Sequence, residues 1–169
     1  MLNLLFIRLK AQLIIFVNNN MNVNLLNKLK IDVFADGASI SQITDQSNID
    51  WIKGFTTNPT LMKKNGITDY KQFALDVMNI VDKKPVSFEV FSDDLHEMLD
   101  HAYEIASWNK NINVKIPITN TKSEYTTKII QKLNSSKIKC NVTALFTLDQ
   151  VNRVLDSIND DTLTIISIF

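Results

Sequence analysis

The 169-residue chain is short of cysteine, glycine and proline, with one, three and three of them. A lone Cys140 cannot build an internal disulfide framework, so a reducing, cytoplasmic setting is the default. Glycine occurs only at 37, 54 and 66, which leaves neither G-x-G-x-x-G nor a Walker loop and removes the main support for a nucleotide-binding Rossmann sheet. No stretch rich in Pro, Gly or Ser divides the sequence, so it reads as one domain. Charge of one sign is also lacking: 18 basic and 18 acidic side chains give a formal net charge of +0. That excludes the electrostatic footprint of a nucleic-acid or anionic-membrane binder. Arginine is scarce, 2 against 16 Lys, beside 19 Asn and 21 Ile. Lys, Asn and Ile share A/T-rich codons, so this bias reflects genome composition and carries no functional weight.

Residues 1–17 (MLNLLFIRLKAQLIIFV) are mostly apolar and invite a signal-peptide or anchor reading. Arg8 and Lys10 interrupt the apolar run instead of preceding it, and no small-residue cleavage site follows. The run is also shorter than the roughly 20 residues of a membrane span. Residues 1–20 are therefore expected to be an extension outside the domain, with Met21 as the natural start and an amphipathic segment as the alternative. The domain itself is placed at 21–169.

From residue 31 a single unit repeats. Strand-like runs centre near residues 34, 56, 88, 116, 142 and 166, one βα unit apart, and are rich in Val, Ile, Phe and Thr. Between most of them apolar residues recur at helical spacing, as in Tyr70, Phe73, Ala74, Val77 and Val81. Thr121 with Glu124, and Thr147 with Gln150, fit the capping-box pattern of a helix start. Connections of this length impose right-handed crossovers and a parallel sheet. The length alone argues against a complete (β/α)8 barrel, which typically takes about 250 residues.

Polar residues inside the strands favour a barrel nonetheless. Strands of a sheet covered on both faces should be almost wholly apolar. Here Ser87 and Glu89, Asn113 and Lys115, Asn141 and Thr143 alternate with apolar neighbours, so each strand has one oily and one polar face. In a barrel the polar face turns inward, and Asp36 and Asn58 fall at C-terminal strand ends, where barrel enzymes keep their chemistry. Lys115, between Val114 and Ile116, should lose water on a central strand. Burial favours the free amine, which attacks carbonyls as Schiff-base catalysis requires. Taken singly, each residue has a blander explanation. Lys115 could snorkel from an edge strand, Asp36 before Gly37 is turn chemistry, Asn58-Pro59 a helix start, and Glu89, Asn141 and Thr143 ordinary strand polars. Together, on successive strands, they point to one mouth.

The motifs FADGA, GFTTNPTLM, SFEVF, NVKIPIT, CNVTALFT and the terminal SIF occur in order. They resemble the successive strand motifs of the transaldolase family, which includes fructose-6-phosphate aldolases, from about residue 30 to the last. The resemblance implies a class I aldolase on a (β/α)8 TIM barrel, truncated here after about six βα units, that uses neither metal nor cofactor and acts on sugar phosphates. It implies Lys115 as the Schiff-base amine and Asp36 as the acid/base that takes a sugar hydroxyl proton. Glu89 would relay protons through a water also held by Thr143. Asn58 and Asn141 would hold the dihydroxyacetone hydroxyls, and Ser167 would belong to a phosphate loop. Members resembling fructose-6-phosphate aldolases carry Gln where this chain has Glu89, so Glu89 favours a transferase over a lyase. The family continues past the position of Phe169 with a glycine, a phosphate-gripping arginine and two further strands. The expectations are that the first and sixth strand motifs form open edges, that family members assemble as homo-oligomers when full length, and that the 169 residues alone turn over little or no substrate. An inactive fragment is the corresponding alternative.

Overall fold

A computed structural model describes residues 12–15, 32–37 and 39–169. Among the described residues, seven strands form one sheet in sequential order: β1 (Gln12–Ile15), β2 (Asp32–Gly37), β3 (Ile52–Thr57), β4 (Val86–Glu89), β5 (Ile112–Pro117), β6 (Cys140–Leu145) and β7 (Thr164–Ile168). Every neighbouring pair is parallel. Helices α1 (Ile40–Ser47), α2 (Pro59–Lys64), α3 (Tyr70–Val81), α4 (Leu95–Trp108), α5 (Thr127–Ser135) and α6 (Leu148–Leu155) follow the strands in turn. Sequential parallel order with helices after β2 to β6 is the partial (β/α) barrel expected from the sequence.

Alternation along the strands sets up two unlike faces. Phe55, Val86, Phe88, Val114, Ile116, Cys140 and Val142 pack against Ile43, Phe73, Val77, Met98 and Ile130 of the helices in one continuous core. Burial there pushes the Cys140 thiol up to about 12, so it behaves as a small apolar residue. The opposite face carries Asp36, Thr56, Ser87, Glu89, Asn113, Lys115, Asn141 and Thr143. Groups from strands two apart meet on it, the Asn141 side chain with that of Ser87 and the Lys115 amine with the Thr57 backbone carbonyl, as a curled sheet permits. Gly54 sits on this face beneath the Phe34 ring. A Cβ there would run into that ring and come within 2.7 Å of the Pro85 carbonyl.

Helix starts follow local chemistry. Ser39, Asp69 and Asp94 each accept a backbone N–H from the first turn of α1, α3 and α4. The capping box at Thr147 and Gln150 is present in full. The one expected at Thr121 is not. Thr121 gives its N–H and hydroxyl to the Asp93 carboxylate, Glu124 accepts from Asn120, and α5 begins six residues later at Thr127. Asp93 competes for the threonine, and the segment closes as a turn.

A second correction concerns the edges. β7 stands at one edge of the described sheet, but β2 does not form the other. Gln12–Ile15 runs parallel to it, with Gln12 opposite Asp32 and Ile15 opposite Ala35. The remainder of residues 1–20 lies outside the described residues. Among those described, no helix is long and apolar enough to cross a membrane.

Candidate active site

The polar face is organised in rows, because parallel registry places partners side by side. Glu89 of β4 stands opposite Lys115 of β5, and Lys115 opposite Asn141 of β6. A second row joins Asp36, Thr56 and Ser87 across β2, β3 and β4. A parallel ladder thus turns a two-residue sequence period into a lateral line of functional groups.

Lys115 is at the centre. Its side chain is 14% exposed, and Nζ lies 3.0 Å from Glu89 Oε2. Nζ also donates to the Thr57 carbonyl at 3.4 Å. The flanking Val114 and Ile116 are fully buried and β5 is central in the sheet, so Lys115 is not an edge-strand residue. Asp36 lies at the end of β2 and accepts a hydrogen bond from Thr56 Oγ1 at 3.3 Å. Burial raises its carboxyl above the ordinary aspartate value; the Lys115 charge and the Thr56 hydroxyl pull the other way without cancelling it. A half-buried carboxyl that holds a proton more readily than usual, within the field of an amine, is suited to exchange protons with a bound molecule.

Asn141 is almost fully buried and fixed from both sides. Its amide nitrogen donates to Ser87 Oγ at 3.0 Å, and its carbonyl accepts from Ser167 Oγ at 2.7 Å. Thr143, two residues on, is buried on the same face opposite Pro117. Among the described residues, no hydrogen bond joins Thr143 to Glu89. Asn58 follows β3 directly, and its Oδ1 accepts the Thr60 N–H at 3.0 Å at the start of α2. The structure therefore gathers Asp36, Glu89, Lys115, Asn141 and Ser167 on one face of the sheet, with Thr143 beside them and Asn58 just beyond the end of β3, where its side chain caps a helix.

Three participants were not singled out from the sequence. Thr56 follows the same alternation as the others and Thr57 contributes its backbone carbonyl, but both read as ordinary strand formers. Tyr70 lies in the apolar stripe of α3, yet its hydroxyl accepts the Glu89 N–H at 2.8 Å and donates to the Glu89 carbonyl at 3.1 Å. Asn113, one row below Lys115, is buried with neither amide atom hydrogen-bonded. Among the described residues, no group of three or more His, Cys, Asp or Glu is placed to hold a metal ion.

Comparison with known proteins converges on one family. The transaldolase/fructose-6-phosphate aldolase family model matches residues 33–169. A probable transaldolase of Dehalococcoides mccartyi is 38% identical over 118 residues, covering 70% of this chain and 53% of the relative. A probable transaldolase of Streptococcus agalactiae is 38% identical over 117 residues, covering 69% and 52%. That of a Thermoanaerobacter species is 37% identical over 148 residues, covering 79% and 65%. The chain thus spans between about half and two thirds of the length of these relatives.

Proposed function

The chain belongs to the transaldolase/fructose-6-phosphate aldolase family, and on that premise we propose that it provides the Schiff-base site of a transaldolase. The observation that carries this reading is the half-buried Lys115 amine held 3.0 Å from the Glu89 carboxylate. In the proposed reaction the amine, freed of its proton by Glu89, adds to the carbonyl of a ketose phosphate. Water leaves, with the Glu89 carboxyl and a water shared with Thr143 moving the protons, and the protonated imine becomes an electron sink. Asp36 then takes the proton of the sugar hydroxyl as the adjacent carbon–carbon bond opens. The aldose phosphate departs and a three-carbon enamine stays on Lys115. Addition of this enamine to an acceptor aldose phosphate, followed by hydrolysis of the imine, returns the amine.

Asn141 suits the enamine hydroxyls because both ends of its amide are already oriented by Ser87 and Ser167. Asn58, just beyond the end of β3, is assigned to the same dihydroxyacetone unit, and Ser167 to the phosphate side of the mouth. The substrates proposed are fructose 6-phosphate or sedoheptulose 7-phosphate as donor and an aldose phosphate as acceptor, in a cytoplasmic pentose-phosphate setting. Glu89, where lyase-like members resembling this chain carry Gln, favours transfer over release.

Product analysis tests the assignment. With fructose 6-phosphate and erythrose 4-phosphate, any sugar product formed is expected to be sedoheptulose 7-phosphate, alongside glyceraldehyde 3-phosphate. Free dihydroxyacetone as the main product would make the protein a lyase instead.

A further inference from the structure

Tyr70 lies on a helix, outside the polar rows, but its hydroxyl stands in for a missing rung of the sheet. Between β3 and β4 the ladder is regular at its base: Phe55 N–H donates to the Pro85 carbonyl at 2.9 Å, and Phe55 and Thr56 stand opposite Val86 and Ser87. A parallel ladder advances two residues at a time. The next rungs would take the Glu89 N–H to the Thr57 carbonyl and a residue-59 N–H to the Glu89 carbonyl. Residue 59 is Pro59, which has no N–H to give, and the paired strand ends at Thr57. The Tyr70 hydroxyl supplies both missing partners, accepting from Glu89 N–H at 2.8 Å and donating to Glu89 C=O at 3.1 Å. The Thr57 carbonyl, relieved of its rung, accepts Lys115 Nζ at 3.4 Å instead.

The ring that carries this hydroxyl is held in place. It meets Phe88, Phe91 and Trp108 edge to face at centroid separations of 5.8, 4.3 and 5.7 Å. Burial pushes the phenol well above its ordinary value, so it keeps the proton it donates. We propose that Tyr70 is a positioning residue for the Lys115 amine. By closing the backbone of Glu89, it sets the carboxylate against Nζ and leaves the Thr57 carbonyl free to hold that same Nζ. The inference rests on the reading of Lys115 as the reacting amine, and it adds a residue that no strand motif contains.

The test is Tyr70→Phe in the full chain, which keeps the ring and its aromatic contacts and removes only the hydroxyl. Two measurements are made on it and on the parent: a crystal structure, and the rate at which borohydride traps an adduct on Lys115 with dihydroxyacetone. In the variant the Glu89 N–H is expected to turn to the Thr57 carbonyl and Nζ to leave it. The trapping rate at saturating dihydroxyacetone should fall about tenfold, the size expected for losing one hydrogen bond to a charged group. The thermal midpoint should fall, because the Glu89 carbonyl loses its donor, while the half-saturating concentration stays near that of the parent, which a general loosening of the site would not allow. Lys115 still bound to Thr57 in the variant, or trapping at the parent rate, would overturn the inference and leave the proposed function standing. Absence of any adduct in the parent would instead defeat the proposed function, and the variant's structure would then decide the positioning claim alone.

Discussion

Glu89 and Lys115 stand directly opposite each other on neighbouring parallel strands, and their side chains close to 3.0 Å on the concave face of the sheet. The pair is nearly enclosed, so its geometry is set by backbone registry more than by side-chain choice. A carboxylate this close to an amine is within reach to exchange a proton with it.

Glu89→Gln should therefore slow imine formation at Lys115 by about a hundredfold, the lower range for losing a general acid/base. It should also shift any products from transfer toward release of dihydroxyacetone. Stopped trapping with borohydride over a range of times measures the first effect, and product ratios the second. A variant that forms the imine as fast as the parent would remove Glu89 from the proton relay.

Asp36 makes a prediction about stability. Its folded carboxyl titrates above the ordinary value of 3.8 because burial disfavours the anion. The folded state binds this proton more tightly than the unfolded state, so Asp36 costs stability as pH rises from the ordinary value through the raised one. Asp36→Asn should raise the thermal midpoint at neutral pH, and that gain should vanish in acid, where the parent carboxyl is protonated. An equal gain at both ends of the scale would contradict the burial argument.

Gly54 has no room for a side chain. Gly54→Ala would drive a methyl group into the Phe34 ring and toward the Pro85 carbonyl, which is backbone and cannot swing away. The expected loss is about 1–3 kcal/mol, typical of overpacking. Urea denaturation measures it, and an unchanged midpoint would mean that Phe34 does not lie over Gly54.

Much of this site was legible because a parallel sheet converts sequence period into position. Glu89, Lys115 and Asn141 were each read as inward-facing from alternation, and registry then placed them in one row. Links that depend on curvature were not legible. Ser87 meets Asn141 across an intervening strand, which no local pattern encodes. Tyr70 satisfied the helical stripe of α3, so its hydroxyl gave no separate signal. The Thr121 capping pattern misled because Asp93, 28 residues earlier, captures the threonine. The covered edge of β2 was missed for a related reason: the apolar run of residues 1–17 has no strand alternation to distinguish a pairing segment from an appendage.

That edge supports a further prediction. Deleting residues 1–20 removes the strand beside Asp32–Gly37 and leaves unpaired backbone groups of the kind that template self-association. Sedimentation velocity should show larger species in the shortened chain at concentrations where the parent does not associate. Identical distributions would mean that Gln12–Ile15 does not protect the edge.

The central claim is that the reacting group is the amine of Lys115. The most direct measurement is peptide mass mapping after incubating the chain with fructose 6-phosphate and reducing with borohydride, with Lys115→Ala run in parallel. The account predicts a sugar-derived adduct on the peptide containing Lys115 and none on the variant. An adduct spread over surface lysines, equal in parent and variant, would contradict it.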